Sequence, residues 1–172
     1  MGQTDPLNNE AAGKPAMNPM PFSHPSAFAG HVGKEIGVSD WVAIDQATID
    51  AFATATGDHQ WIHVDVERAK MELPGGSTIA HGFLLLSLFP RLSDECFTVD
   101  QVRHTLNYGC NQVRFTAMVP SGSRVRLRLA IADVEERKDG GWRITFKGTL
   151  ELDGSERPAV IAETVRVIYP TA

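Results

Sequence analysis

Apolar positions recur every three or four residues in the first half of the chain and at alternate residues in the second. After Asp45, Ile49, Phe52, Ala53 and Thr56 fall on one helical face. Asp45 is an N-cap, and Gly57 ends the helix because glycine tolerates left-handed C-terminal geometry. Asp65 caps a shorter helix from Val66 to Met71. Beyond the Pro74-Gly75-Gly76 loop, Ser77 or Thr78 opens STIAHGFLLLSLFPRL, predicted to be helical to Leu92. A helix apolar nearly all round is buried nearly all round, and Pro90 should kink or end it. Ile36 to Ile44 reads as a first strand. Val125, Leu127, Leu129 and Ile131 alternate with Arg124, Arg126 and Arg128, a half-exposed strand. Trp142 to Leu152 and Val160 to Tyr169 continue the pattern after turns at Asp139-Gly140-Gly141 and Asp153-Gly154, and a further strand or two is expected in Val102 to Phe115. The expected class is α+β, a curved antiparallel sheet wrapped around a long apolar central helix.

Residues 1–23 lack periodicity and carry four prolines. They read as a flexible N-terminal tail, leaving 24–172 as one domain. The chain has 172 residues, 42% of them apolar, enough for one sizeable core. A net charge of -5 provides no basic field for nucleic acid or anionic lipid. No apolar run is long enough to span a bilayer, and the N-terminus lacks a secretion-signal pattern. Two cysteines, Cys96 and Cys110, make no disulfide scaffold. They read as reduced thiols in a cytoplasmic protein.

Candidate chemistry is densest at Gly57-Asp58-His59-Gln60-Trp61-Ile62-His63, directly after a helix stop. A carboxylate and an imidazole converging in an irregular turn can hold and deprotonate water. The structural alternatives are that Asp58 caps the next turn and that His63 satisfies a backbone carbonyl. A zinc site from His59 and His63 is a third reading, without an obvious third ligand beyond His81 or Asp65. Ala80-His81-Gly82-Phe83 reads as the start of the apolar helix, where unpaired N–H groups can receive an oxyanion. Gly82 is equally explained by the sheet crossing the helix there. Arg114 reads as a solvated or helix-capping arginine or as a phosphate contact, and the Arg124, Arg126, Arg128 stripe as a solvated face or a docking surface for an acidic carrier or CoA phosphates.

TGDHQWIHVDVERA, then Ile79-Ala80-His81-Gly82, then Val113-Arg114-Phe115 with Val119-Pro120, together resemble the MaoC-like, (R)-specific enoyl-CoA hydratase family over nearly all the chain after the tail. Gln60 and Trp61 stand where that family usually has asparagine and proline, a variant similar to the nodulation-protein-N-like subgroup. The resemblance implies a hotdog fold, usually paired as a homodimer. It implies reversible hydration of trans-2-enoyl-CoA to (R)-3-hydroxyacyl-CoA, with Asp58 and His63 as catalytic dyad and the Gly82 N–H as oxyanion donor. Gln60, Trp61, His81 and Phe83 are then expected beside the substrate, an acyl-CoA thioester, with no cofactor and no metal. The alternatives are a 3-hydroxyacyl-carrier-protein dehydratase and a noncatalytic acyl-binding subunit of a larger dehydratase.

Overall fold

The computed structural model describes residues 19–171. Most of the segment read as a tail lies outside them. Its end does not: Met20–Phe22 forms β1, paired in parallel with β4 (Phe97–Val99). Phe22 is buried and stacks on Phe28 at 4.1 Å. Three apolar residues with a partner far along the chain are invisible to a periodicity reading, so the ordered domain begins earlier than residue 24.

The main sheet contains β2 (Glu35–Val38), β3 (Val42–Ile44), β5 (Val102–Phe115), β6 (Ser123–Glu136), β7 (Trp142–Leu152) and β8 (Val160–Pro170). Its order is β2-β6-β7-β8-β5, with β3 also on β6, and every pairing is antiparallel. The expected first strand is therefore two short ones. Between them Ser39 Oγ accepts the Leu127 N–H at 2.9 Å, so a side chain replaces the backbone acceptor of a continuous ladder.

α1 (Gln46–Thr56) carries both predicted ends: Asp45 accepts the Thr48 N–H, and Gly57 is left-handed at φ 77. α2 (Trp61–Val64) and α3 (Val66–Glu72) follow. The central apolar segment departs from expectation. It is two six-residue helices, α4 (Gly82–Ser87) and α5 (Phe89–Asp94), rather than one long helix from Ser77. Thr78 to Ala80 are extended because their backbone is engaged elsewhere. Ile79 N–H donates to Ile62, Ala80 N–H to Val119, and Thr78 accepts from Ser121. The break at Leu88 lies just before Pro90, which lacks the N–H an uninterrupted helix would use. Nor is the segment buried all round, since Phe83 is 69% exposed.

Leu84, Leu85, Leu88, Phe89 and Leu92 pack against Leu127, Leu129, Ile131, Ile144, Phe146 and Leu150 of the sheet. Burial of such side chains stabilises by about 1.5–3 kcal/mol each before conformational entropy is counted. Gly148 permits this closeness: a Cβ there would collide with the Phe89 ring. The arginine stripe on β6 is paired, Arg124 with Asp153, Arg126 with Glu151, and Arg128 with Glu35 and Glu151. Both cysteines are free thiols, and burial pushes the Cys96 thiol up to about 12. No described helix is long and apolar enough to cross a membrane.

Candidate active site

The left-handed Gly57 turns the chain out of α1 and releases Asp58 into an exposed bend. Five residues on, α2 returns His63 to the interior, where it is 7% exposed. The extended Thr78–His81 segment runs alongside and brings in His81, which is buried. One ligand atom from each of Asp58, His63 and His81 lies within 4.8 Å of the others.

Backbone carbonyls assign the imidazole protons. His63 Nδ1 is 2.7 Å from the Ile79 carbonyl, which can only accept, so Nδ1 carries the proton and Nε2 presents a lone pair. His81 Nε2 likewise donates to the Asp58 carbonyl at 2.9 Å, leaving its Nδ1 buried without a partner. Burial lowers the His63 pKa below its ordinary 6.5. The Ile79 hydrogen bond opposes that shift, the neighbouring His81 adds to it, and Asp58 opposes it. The imidazole is thus held neutral, with a free basic nitrogen, near pH 7.

Both structural alternatives are also present. His63 does satisfy a carbonyl, and Asp58 Oδ1 accepts the Gln60 N–H at a long 3.4 Å. Neither contact consumes the His63 Nε2 lone pair. A metal fits poorly. The His63 and His81 rings are stacked 3.7 Å apart and inclined by only 26°. A coordinated ion lies in the plane of each ring, and planes so nearly parallel meet well beyond the ~2.0–2.1 Å of a metal–nitrogen bond.

Gly82 is the first residue of α4, so its N–H has no intrahelical partner. It also has a packing reason to be glycine: a Cβ would stand 2.8 Å from the Phe115 ring. Phe83 is exposed and its ring lies 5.5 Å from that of Phe115. Gln60 caps α2 through its backbone carbonyl, which accepts the His63 N–H, and makes no side-chain capping bond. The Trp61 ring lies under the Arg68 guanidinium, 4.0 Å away, on the α2–α3 side.

Two residues not singled out from sequence adjoin this cluster. Gln46 Nε2 donates to the His63 carbonyl at 2.8 Å, and buried Thr78 donates its hydroxyl to Gln46 Oε1. Their separations of 17 and 32 residues leave no local pattern, and the only available signal is a polar side chain at the first turn of an amphipathic helix.

The sequence pattern of the MaoC like domain matches residues 27–150. The 3-hydroxyacyl-thioester dehydratase Z of Mycobacterium tuberculosis is 48% identical over 144 residues, covering 84% of this chain and 95% of that protein. Nodulation protein N of Rhizobium leguminosarum bv. viciae is 43% identical over 138 residues, covering 80% and 86%. Among solved structures, the monoamine oxidase regulatory protein of Archaeoglobus superposes with a TM-score of 0.71 at 21% identity, covering 91% of this chain and all of that one. The (R)-hydratase of A. caviae gives 0.62 at 24% identity, covering 78% and 94%. These two likenesses are of fold.

Proposed function

Since the chain belongs to the MaoC-like dehydratase family and is an enzyme of its hydratase and 3-hydroxyacyl-thioester dehydratase class, we propose that it adds water reversibly to a trans-2-enoyl-CoA to give the (R)-3-hydroxyacyl-CoA. The observation that carries this reading is a buried imidazole that gives its Nδ1 proton to the Ile79 carbonyl and keeps its Nε2 free, with an Asp58 carboxylate oxygen within 4.8 Å of a His63 ring nitrogen. In hydration, His63 Nε2 takes a proton from water as the water oxygen bonds to the β-carbon. Asp58 stays ionised and accepts the second water hydrogen, which fixes the attacking lone pair. Charge moves to the thioester oxygen and is received by the Gly82 N–H. The imidazolium then returns its proton to the α-carbon and the thioester carbonyl re-forms. Dehydration is the same path reversed.

A second copy of the chain completes the proposal. β5 is a 14-residue terminal strand of the sheet, exposed along most of its length. Leu106, Tyr108 and Phe115 on it, with Phe83 beside it, are large exposed apolar groups. Such an edge invites strand pairing, and a two-fold homodimer closes it. The same dehydration on a carrier-protein thioester is supported about equally, because the neighbouring 3-hydroxyacyl-thioester dehydratase name specifies no carrier.

A chiral assay tests the reading. Purified protein, eluting as a dimer, is expected to convert short and medium trans-2-enoyl-CoAs to 3-hydroxyacyl-CoA of R configuration. An S product would overturn the R assignment, and turnover confined to carrier-protein thioesters would replace the CoA assignment.

A further inference from the structure

Gln46 stands at the first turn of α1, outside the Asp58–His63 loop and outside the segment leading to Gly82, yet it touches the backbone or side chain of both. Its Nε2 donates to the His63 carbonyl at 2.8 Å and to Asp50 Oδ1 at 2.8 Å. Its Oε1 accepts the hydroxyl of Thr78. The amide orientation is dictated by these partners, since the His63 carbonyl cannot donate. Asp50, one turn along α1, takes the remaining amide hydrogen and holds the side chain in this pose.

Thr78 directly precedes Ile79, whose carbonyl receives the His63 Nδ1 proton. One amide therefore grips the backbone of the histidine and the neighbour of the group that sets its tautomer. The Ile79 N–H to Ile62 carbonyl bond, 3.0 Å, closes the same small network from the other side. If the Gln46 link is cut, α2 and the Thr78–His81 segment lose a shared anchor, and the 2.7 Å bond that leaves Nε2 unprotonated loses its register.

We propose that Gln46, through Thr78, is a positioning residue that fixes the distance between His63 and the Ile79 carbonyl and so maintains His63 as the Nδ1-protonated tautomer. This rests on the reading of His63 as the base. Gln46 touches no reacting atom in that scheme. It acts by holding two segments that are 16 residues apart at one separation.

The test compares the wild type with Gln46→Ala, Thr78→Val and Thr78→Ser. Each is measured for steady-state hydration and for the ¹⁵N chemical shifts of the His63 ring, with the folded fraction set by circular dichroism. A positioning role predicts that Gln46→Ala lowers kcat per folded molecule by about 10- to 100-fold, the scale expected of sub-ångström misplacement. KM should stay within about threefold if substrate contacts are untouched. The ring nitrogens should shift from the Nδ1–H pattern toward a mixture of tautomers. Thr78→Val should reproduce both changes, and Thr78→Ser, which restores the hydroxyl, should recover most of the loss.

If Gln46→Ala keeps its kcat, or loses kcat while the tautomer pattern stays intact, the proposal is wrong. Should Gln46→Ala not fold, the Thr78 pair decides alone: equal activity in the valine and serine variants overturns the proposal. Failure of the underlying reading shows differently. A fully active His63→Ala variant removes histidine from the chemistry, whereas the nitrogen shifts of Gln46→Ala still report whether the tautomer depends on the amide.

Discussion

Asp58→Asn and His63→Ala are each expected to reduce kcat by about 10²–10⁴-fold while leaving the fold intact, the range of a positioned acid–base group. The double variant should be little worse than the poorer single one, because two groups gripping one water act as a unit. Folding should survive in Asp58→Asn because the carboxylate is exposed and its one structural bond, to Gln60, is long. The pH profile carries a second signature. The base must be unprotonated, so activity falls as pH drops through the His63 pKa, and burial places that fall below the ordinary 6.5. Asp58 raises the His63 pKa, so the residual activity of Asp58→Asn should fall at still lower pH. Stability follows the same sign. A histidine whose pKa is depressed on folding leaves stability undiminished above its unfolded value, and stability is lost as pH falls below about 6.5 toward the folded value. His63→Ala should lose that part of the slope in thermal unfolding. Near-parental turnover in both single variants would remove the dyad from the mechanism.

Gly82→Pro is expected to cost about 10²–10³-fold in kcat, as loss of one oxyanion donor does elsewhere. Proline deletes the N–H and little else in the backbone. It is favoured at the first helical position, and His81, at φ -61 and ψ 135, already has the conformation a residue before proline adopts. Its ring atoms, however, enter the space held by Phe115, which any Cβ at position 82 would meet at 2.8 Å. Gly82→Ala suffers that contact and keeps the N–H. Both variants are therefore made in a Phe115→Ala background, which clears the ring. The difference between them then isolates the amide hydrogen. Equal activity of the two would leave Gly82 a packing glycine with no electrostatic part.

What the sequence disclosed depended on how local its determinants are. α1 is bounded by a cap at Asp45 and a left-handed Gly57, both decided within a few residues. The alternation of β6 and β7 is equally local, and buried Val125, Leu127, Leu129 and Ile131 follow it. The Asp58–His63 loop was visible as reactive groups after a helix stop and through the family motif. Periodicity alone predicts helix for the Thr78–His81 segment, but its conformation is set by Ile62, Val119 and Ser121, partners that periodicity does not register. Tertiary pairing there overrides local preference. The same distance hid the stack of His81 on His63 and the bridge through Gln46. The family resemblance places His81 beside the substrate, and its Nε2 donates to the Asp58 carbonyl, a bond from a residue 23 positions away that local pattern does not register. Phe83 belonged by pattern to a buried helix, yet it faces out beside Phe115 at the sheet edge.

The most direct measurement is a crystal structure of Asp58→Asn with a trans-2-enoyl-CoA bound. The thioester oxygen should lie about 3 Å from the Gly82 nitrogen, and a water beside residue 58 and His63 Nε2 should lie about 3–3.5 Å from the β-carbon. A thioester bound with its oxygen turned away from Gly82, and its β-carbon out of reach of His63, would contradict the account.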